Sequence, residues 1–221
     1  MITRLPPWIW TGAWMLASIA GFVNVIGLLG FEHQAVTHLT GTTTMFSAAL
    51  AMADWPAAMN YGMVIGAFLI GTVFSGLVVQ DQALQLGFRY SLALFLEAVL
   101  LAASGMLLGR QSVMGIYTAA CACGLQNAMV STYSGAVVRT THLSGMLTDL
   151  GIFLGHAFRK IPVDPRRLRL CLVVISGFGC GGVAGALAFQ RLSYGALFIP
   201  AGLTALAALG YAIYQLRAGG K

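Results

Sequence analysis

Six stretches of this chain, near 8–30, 57–79, 91–109, 112–130, 170–189 and 194–216, are long and apolar, and together they carry one formal charge, Glu97. Crossing the hydrocarbon core of a bilayer takes about 20 apolar residues in a helix. Only helices and closed barrels can satisfy their backbone hydrogen bonds in that medium. Charged residues make up 8% of the 221, against roughly 25% in an average soluble domain. The pattern predicts an all-α polytopic membrane protein, a single membrane domain over 1–221 with the lipid bilayer as its constant partner.

Inside this apolar background a polar motif occurs twice. Thr37-His38-Leu39-Thr40-Gly41 returns 104 residues later as Thr141-His142-Leu143-Ser144-Gly145. Each copy follows a Gly-x-x-Asn, Gly21 to Asn24 and Gly124 to Asn127. The chain has four histidines and three asparagines, and two of each belong to this pattern. Duplicated polar residues in a membrane chain point to a duplicated unit with one site between the copies. The repeats are predicted near 8–109 and 112–216, with Phe68-Leu69-Ile70-Gly71 matching Phe178-Gly179-Cys180-Gly181 and Gln80 matching Gln190. The repeat also predicts that the first span is retained, although Arg4, an apolar run and Ser18-Ile19-Ala20 resemble a signal peptide.

Two further apolar segments, 39–53 and 143–158, are short. As helices they would be roughly 22–24 Å long, less than the roughly 30 Å hydrocarbon core. If they dip in and return, six long transmembrane helices form three plus three, and the halves are inverted. If they cross fully, eight spans form four plus four, and the halves are parallel. The positive-inside rule gives ten Lys or Arg inside against two outside (Arg110, Arg191) for six spans, and nine against three (Arg89, Arg139, Arg191) for eight. Both place the two termini and the cluster Arg159, Lys160, Arg166, Arg167 and Arg169 in the cytoplasm. Length favours six. The net charge of +6 resides largely in that cluster, which suits a loop touching anionic lipid and gives no reason to expect nucleic acid.

Read as helix starts, the two T-H-L-[T/S]-G segments put a hydroxyl residue at or near an N-cap, with exposed N–H groups behind it and a glycine to keep them open. Such an end suits an anion, a carboxylate or the oxygen of a neutral polar solute. The predicted solute-binding residues are Asn24, His38, Thr40, Gly41, Asn127, His142, Ser144 and Gly145. His142, Asp149 and His156 are spaced by seven and would share a helix face. Asp149 on that face and Glu97 inside a span are the candidate proton-coupling groups. Gly62, Gly66, Gly71 and Gly76, and Gly177, Gly181 and Gly185, are read as packing positions.

Cys121, Cys123, Cys171 and Cys180 lie within predicted spans and are expected to pack as small apolar residues. Glu32-His33 lacks a third ligand at a usable spacing, so neither a metal nor a cofactor is expected. No Gly-x-Ser-x-Gly, His-Glu-x-x-His or paired-aspartate motif occurs, so no enzyme is expected.

Gly21-Phe22-Val23-Asn24, His38-Leu39-Thr40-Gly41, Gly124-Leu125-Gln126-Asn127-Ala128, Arg139 to Gly145 and Thr148-Asp149-Leu150-Gly151 resemble the YoaK family of uncharacterised bacterial integral membrane proteins. The resemblance covers nearly the whole chain. It implies the bacterial inner membrane and six spans, and it supplies no substrate. The function expected is a small transporter or channel for a compact polar or anionic solute, with proton coupling as an option. The alternative is a non-transporting scaffold or partner subunit in which the motifs only cap helix turns. Bundles of this size often dimerise, and the sequence leaves a homodimer open.

Overall fold

The computed structural model describes residues 7–31, 33–79, 88–133 and 140–218, and every regular element among them is a helix. Gln80, Glu32, Arg139, Arg4 and Lys221 lie outside the described residues. The elements are α1 (Pro7–Leu29), α2 (Leu39–Ala51), α3 (Trp55–Val78), α4 (Phe88–Gly109), α5 (Met114–Tyr133), α6 (Leu143–Phe158), α7 (Pro165–Leu192) and α8 (Phe198–Ala218). A short 3-10 turn, Ser193–Leu197, joins the last two. The two short segments read from the sequence are thus α2 and α6, within two residues at each end.

Local chemistry sets the boundaries. Ala53 and Lys160 adopt left-handed backbone just past the ends of α2 and α6, at φ of 55° and 56°, and this turns the chain back on itself. Asp54 then caps α3 by accepting from the N–H of Ala57 at 3.2 Å, and Asp164 caps α7 by accepting from that of Arg166 at 2.9 Å. Each cap is followed by a proline in the first turn, where a missing N–H costs nothing. Because α7 starts at Pro165, Arg166, Arg167 and Arg169 ride on its first turns and not in a connector, as the sequence had placed them. Arg169 lies over the ring of Trp10, 4.8 Å from its centroid.

Stretches with the length and hydropathy of a membrane span are Trp10–Leu29, Trp55–Val78, Phe88–Gly109 and Pro165–Arg217, the last holding α7 and α8. The sequence predicted a further long apolar span at 112–130. The helix there, α5, has 20 residues, but Thr118, Gln126, Asn127 and Ser131 lower its hydropathy, and it does not qualify. Large apolar side chains such as Met59, Ile70, Phe74 and Leu77 on α3 point outward. An apolar exterior on long helices is the signature of a chain solvated by lipid.

The helices interlock across the two halves of the chain. α1 lies against α7, α3 against α5, and α4 against α5 and α8, while α2 and α6 flank α3 and α7 respectively. At the α1–α7 crossing, a Cβ on Gly177, Gly181 or Gly185 would run into the backbone of Trp14, Ser18 or Phe22 in turn. The partners ascend together, so the two helices run in the same direction. Gly21 is pressed in the same way against the carbonyl of Phe178. The α3–α5 crossing reproduces this contact, with Gly71 on the carbonyl of Cys121 and Gly124 on that of Phe68. Nearby, the Tyr117 hydroxyl donates to Asn60 Oδ1 at 2.7 Å, so α3 and α5 also run in parallel. α4 and α8 are antiparallel: Tyr90 stacks edge-on with Tyr211 at 5.7 Å, and Gly105 meets Leu197 fifteen residues further along α4.

Backbone-to-backbone contact without an intervening side chain is how helices gain packing energy in lipid, where apolar burial alone offers little. Gly181→Leu and Gly71→Leu should each separate a crossing and cost about 1–3 kcal/mol or more by overpacking. In detergent both variants should unfold at lower temperature than the parent protein. Gly66→Leu, where a Cβ meets nothing within 4 Å, should leave the transition unmoved.

Candidate functional site

A cavity of about 430 Å³ opens where the two crossings meet, and matched residues from both halves line it. Asn24 faces it with Asn127, Thr37 with Thr141, His38 with His142, Leu39 with Leu143, Thr40 with Ser144, and Phe68 with Phe178. Leu147 completes the wall.

Each asparagine stands one turn beyond a crossing glycine, Gly21 or Gly124, so the crossing fixes its depth. Thr37 donates both its backbone N–H and its hydroxyl to Asn24 Oδ1, at 3.0 and 2.8 Å. In the second half the Thr141 hydroxyl donates to Asn127 Oδ1 at 3.2 Å. A backbone N–H can only donate, so it must meet the carbonyl oxygen of Asn24. That bond draws the chain leaving α1 back beside residue 24 before α2 begins.

α2 and α6 begin at the cavity, and their N-caps are His38 and His142, neither making a side-chain capping bond. The sequence places a hydroxyl at or near this position, and Thr37 and Thr141 do directly precede the caps. Thr40 and Ser144 instead fall inside the first helical turn, because helical backbone starts at Leu39 and Leu143. The glycines also differ from expectation. A Cβ on Gly41 would come within 2.7 Å of His38 Nδ1, and one on Gly145 within 2.7 Å of His142 Nε2. The room left by each glycine is therefore filled by the imidazole of its own N-cap and is not an opening to a solute. The other hydroxyls of α2 are satisfied locally: Thr43 and Thr44 donate to the carbonyls of Leu39 and Thr40, and Ser47 to that of Thr43. Such back-bonding removes them from the chemistry of the site.

Asp149 and Glu97 do not line the cavity. On α6 the cavity-facing residues are Leu143, Ser144 and Leu147, and Asp149 lies about 200° further round from Leu147. The seven-residue spacing marks a shared face but not where it points: the His142 imidazole rests on Gly145, about 40° from Asp149 around the helix, and that face turns away from Leu143, Ser144 and Leu147. Asp149 is exposed and sits within electrostatic range of Cys171 on α7. Glu97 is 1% exposed within the helix packing and close enough to Cys123 of α5 to interact with it electrostatically. Its Oε2 has no hydrogen-bond partner among the described residues. Besides Leu39, Leu143 and Leu147, sequence reasoning missed Thr37, Thr141, Phe68 and Phe178 as cavity residues. Their signal was the repeat itself, since each falls opposite its match.

Long apolar helices, a lipid-type exterior and a cavity that holds polar residues from both halves define an all-helical integral membrane protein. The chain matches the family described as "Protein of unknown function (DUF1275)" over residues 12–210, and it belongs to that family. No curated protein and no solved structure matches it.

Gly41→Ala and Gly145→Ala should each expel an imidazole from its resting place, at a cost of about 0.5–1.5 kcal/mol for an off-rotamer ring. With isotope-labelled histidine, the ring resonances of His38 should shift in Gly41→Ala and those of His142 in Gly145→Ala. Gly66→Ala should move neither.

Proposed function

We propose that the chain is a small membrane transporter or channel that moves a compact polar or anionic solute through the cavity between its halves. The observation that carries this reading is the cavity's lining: six positions of the first half each face their sequence match in the second. A scaffold that used the motifs only to cap turns would need the Asn24–Thr37 bond but not this shared space.

Two inverted repeats, 8–109 and 112–216, account for the lining, and the helix directions support them. Three helices separate α4 from α8 in the chain. Were all three to cross the bilayer, α8 would run with α4, whereas the two are antiparallel. Antiparallel packing follows when α6 turns back. The shared direction of α1 and α7 then asks the same of α2. On this reading there are six crossings, and α2 and α6 are the helical legs of two re-entrant segments. They leave the cavity toward opposite faces, so their N-termini meet at mid-depth. Irregular backbone is tolerated at that depth where it lines a cavity. With Arg159 to Arg169 on the cytoplasmic side of a bacterial inner membrane, both termini lie there too. Proton coupling through Asp149 or Glu97 is not part of this reading, because neither reaches the cavity.

Single cysteines at exposed positions in 54–56 and 110–111 test the arrangement. Six crossings put both turns outside, so a membrane-impermeant maleimide should label them in intact cells. Labelling of both only after the cytoplasmic face is opened would overturn the inversion.

A further inference from the structure

The donor pattern of the cavity goes further than its position. We propose that the solute is a small monovalent oxyanion of the carboxylate or nitrate kind, an inference that rests on the transport reading above and narrows it. Asn24 and Asn127 are both turned by their threonines so that the carbonyl oxygen is engaged. What each amide retains for the cavity is its NH₂, a pure donor. His38 and His142 line the same wall, and the first-turn N–H groups of α2 and α6 start there without a side-chain cap.

The complementary absence matters as much. Among the described residues, no Asp, Glu, Lys or Arg lines the cavity. An anion meets no fixed negative charge there, and a cation finds no carboxylate. A dianion would need a fixed positive partner to offset its desolvation, so one negative charge is the limit. Apolar faces from Leu39, Leu143 and the two phenylalanines favour an ion that sheds part of its water.

The test uses the full chain in proteoliposomes with formate and nitrate as anion probes, and urea and glycerol as neutral ones. Formate and nitrate should enter on the order of tenfold faster than into protein-free vesicles, while the neutral probes should show no gain. Asn24→Asp and Asn127→Asp keep an acceptor for Thr37 and Thr141 but replace the donor with a negative charge. Both variants should therefore retain the parent's thermal unfolding and lose the anion flux. Entry of urea or glycerol with exclusion of both anions would overturn the oxyanion assignment and leave transport standing. If no probe enters, transport itself falls, and thermal stabilisation by nitrate decides the rest. Stabilisation of the parent that is lost in Asn24→Asp keeps the anion site in a non-transporting protein, and its absence overturns the site as well.

Discussion

Everything about this molecule depends on two places where one helix backbone touches another with no side chain between. At the first, α1 and α7 interlock through Gly21, Gly177, Gly181 and Gly185; at the second, α3 and α5 do so through Gly71 and Gly124. In water, apolar burial would drive such an association by itself. In lipid it does not, and close dispersion contacts must supply the attraction. The crossings also set the depth of the asparagines, which stand one turn from Gly21 and Gly124. The asparagines in turn hold Thr37 and Thr141, and so the starts of α2 and α6. The site is therefore a by-product of the packing: displace a crossing and the cavity wall moves with it.

The sequence revealed the fold well where a physical rule acts along the chain. Apolar length located the helices to within a few residues. It failed where the outcome depends on a neighbour. Gly66 and Gly76 look like Gly71 in sequence, yet a Cβ on either would meet nothing within 4 Å, because only Gly71 lies where α5 crosses. Conversely, Gly21 and Gly124 read only as the first residues of the repeated Gly-x-x-Asn and turn out to be structural contacts. α5 falls short of a membrane span's hydropathy for the same reason that it matters: it carries Asn127 and Gln126 into the interior, the latter donating to the carbonyl of Leu16 on α1 at 3.2 Å.

At the candidate site, the repeat was a better guide than chemical intuition about single residues. Matching the halves brought Asn24, His38 and Thr40 together with Asn127, His142 and Ser144. Choosing Asp149 and Glu97 because carboxylates are rare in membranes selected groups that have no match in the other half and do not reach the cavity. Helical spacing could not have exposed the error over Asp149, since it groups Asp149 with Gly145 and His156 but cannot show that this face turns away from the cavity. That depends on how α6 packs against α7.

The interlocking has a consequence for how the protein is made. Ser18 and Gly181, which touch in the finished bundle, are separated by 163 residues of chain. A ribosome delivers α1 long before α7 exists, so α1 must wait in the bilayer with its glycine and serine face uncovered. Contacts of such high sequence separation slow assembly and prolong the exposure of unfinished surfaces. The first half alone can close only the contacts of α2 with α3 and a few between α3 and α4, while its remaining grooves fit helices not yet synthesised. The nascent protein is thus a standing target for membrane quality control until its last quarter emerges. A chain cut between α4 and α5 would leave two halves that each lack a fold until they find one another.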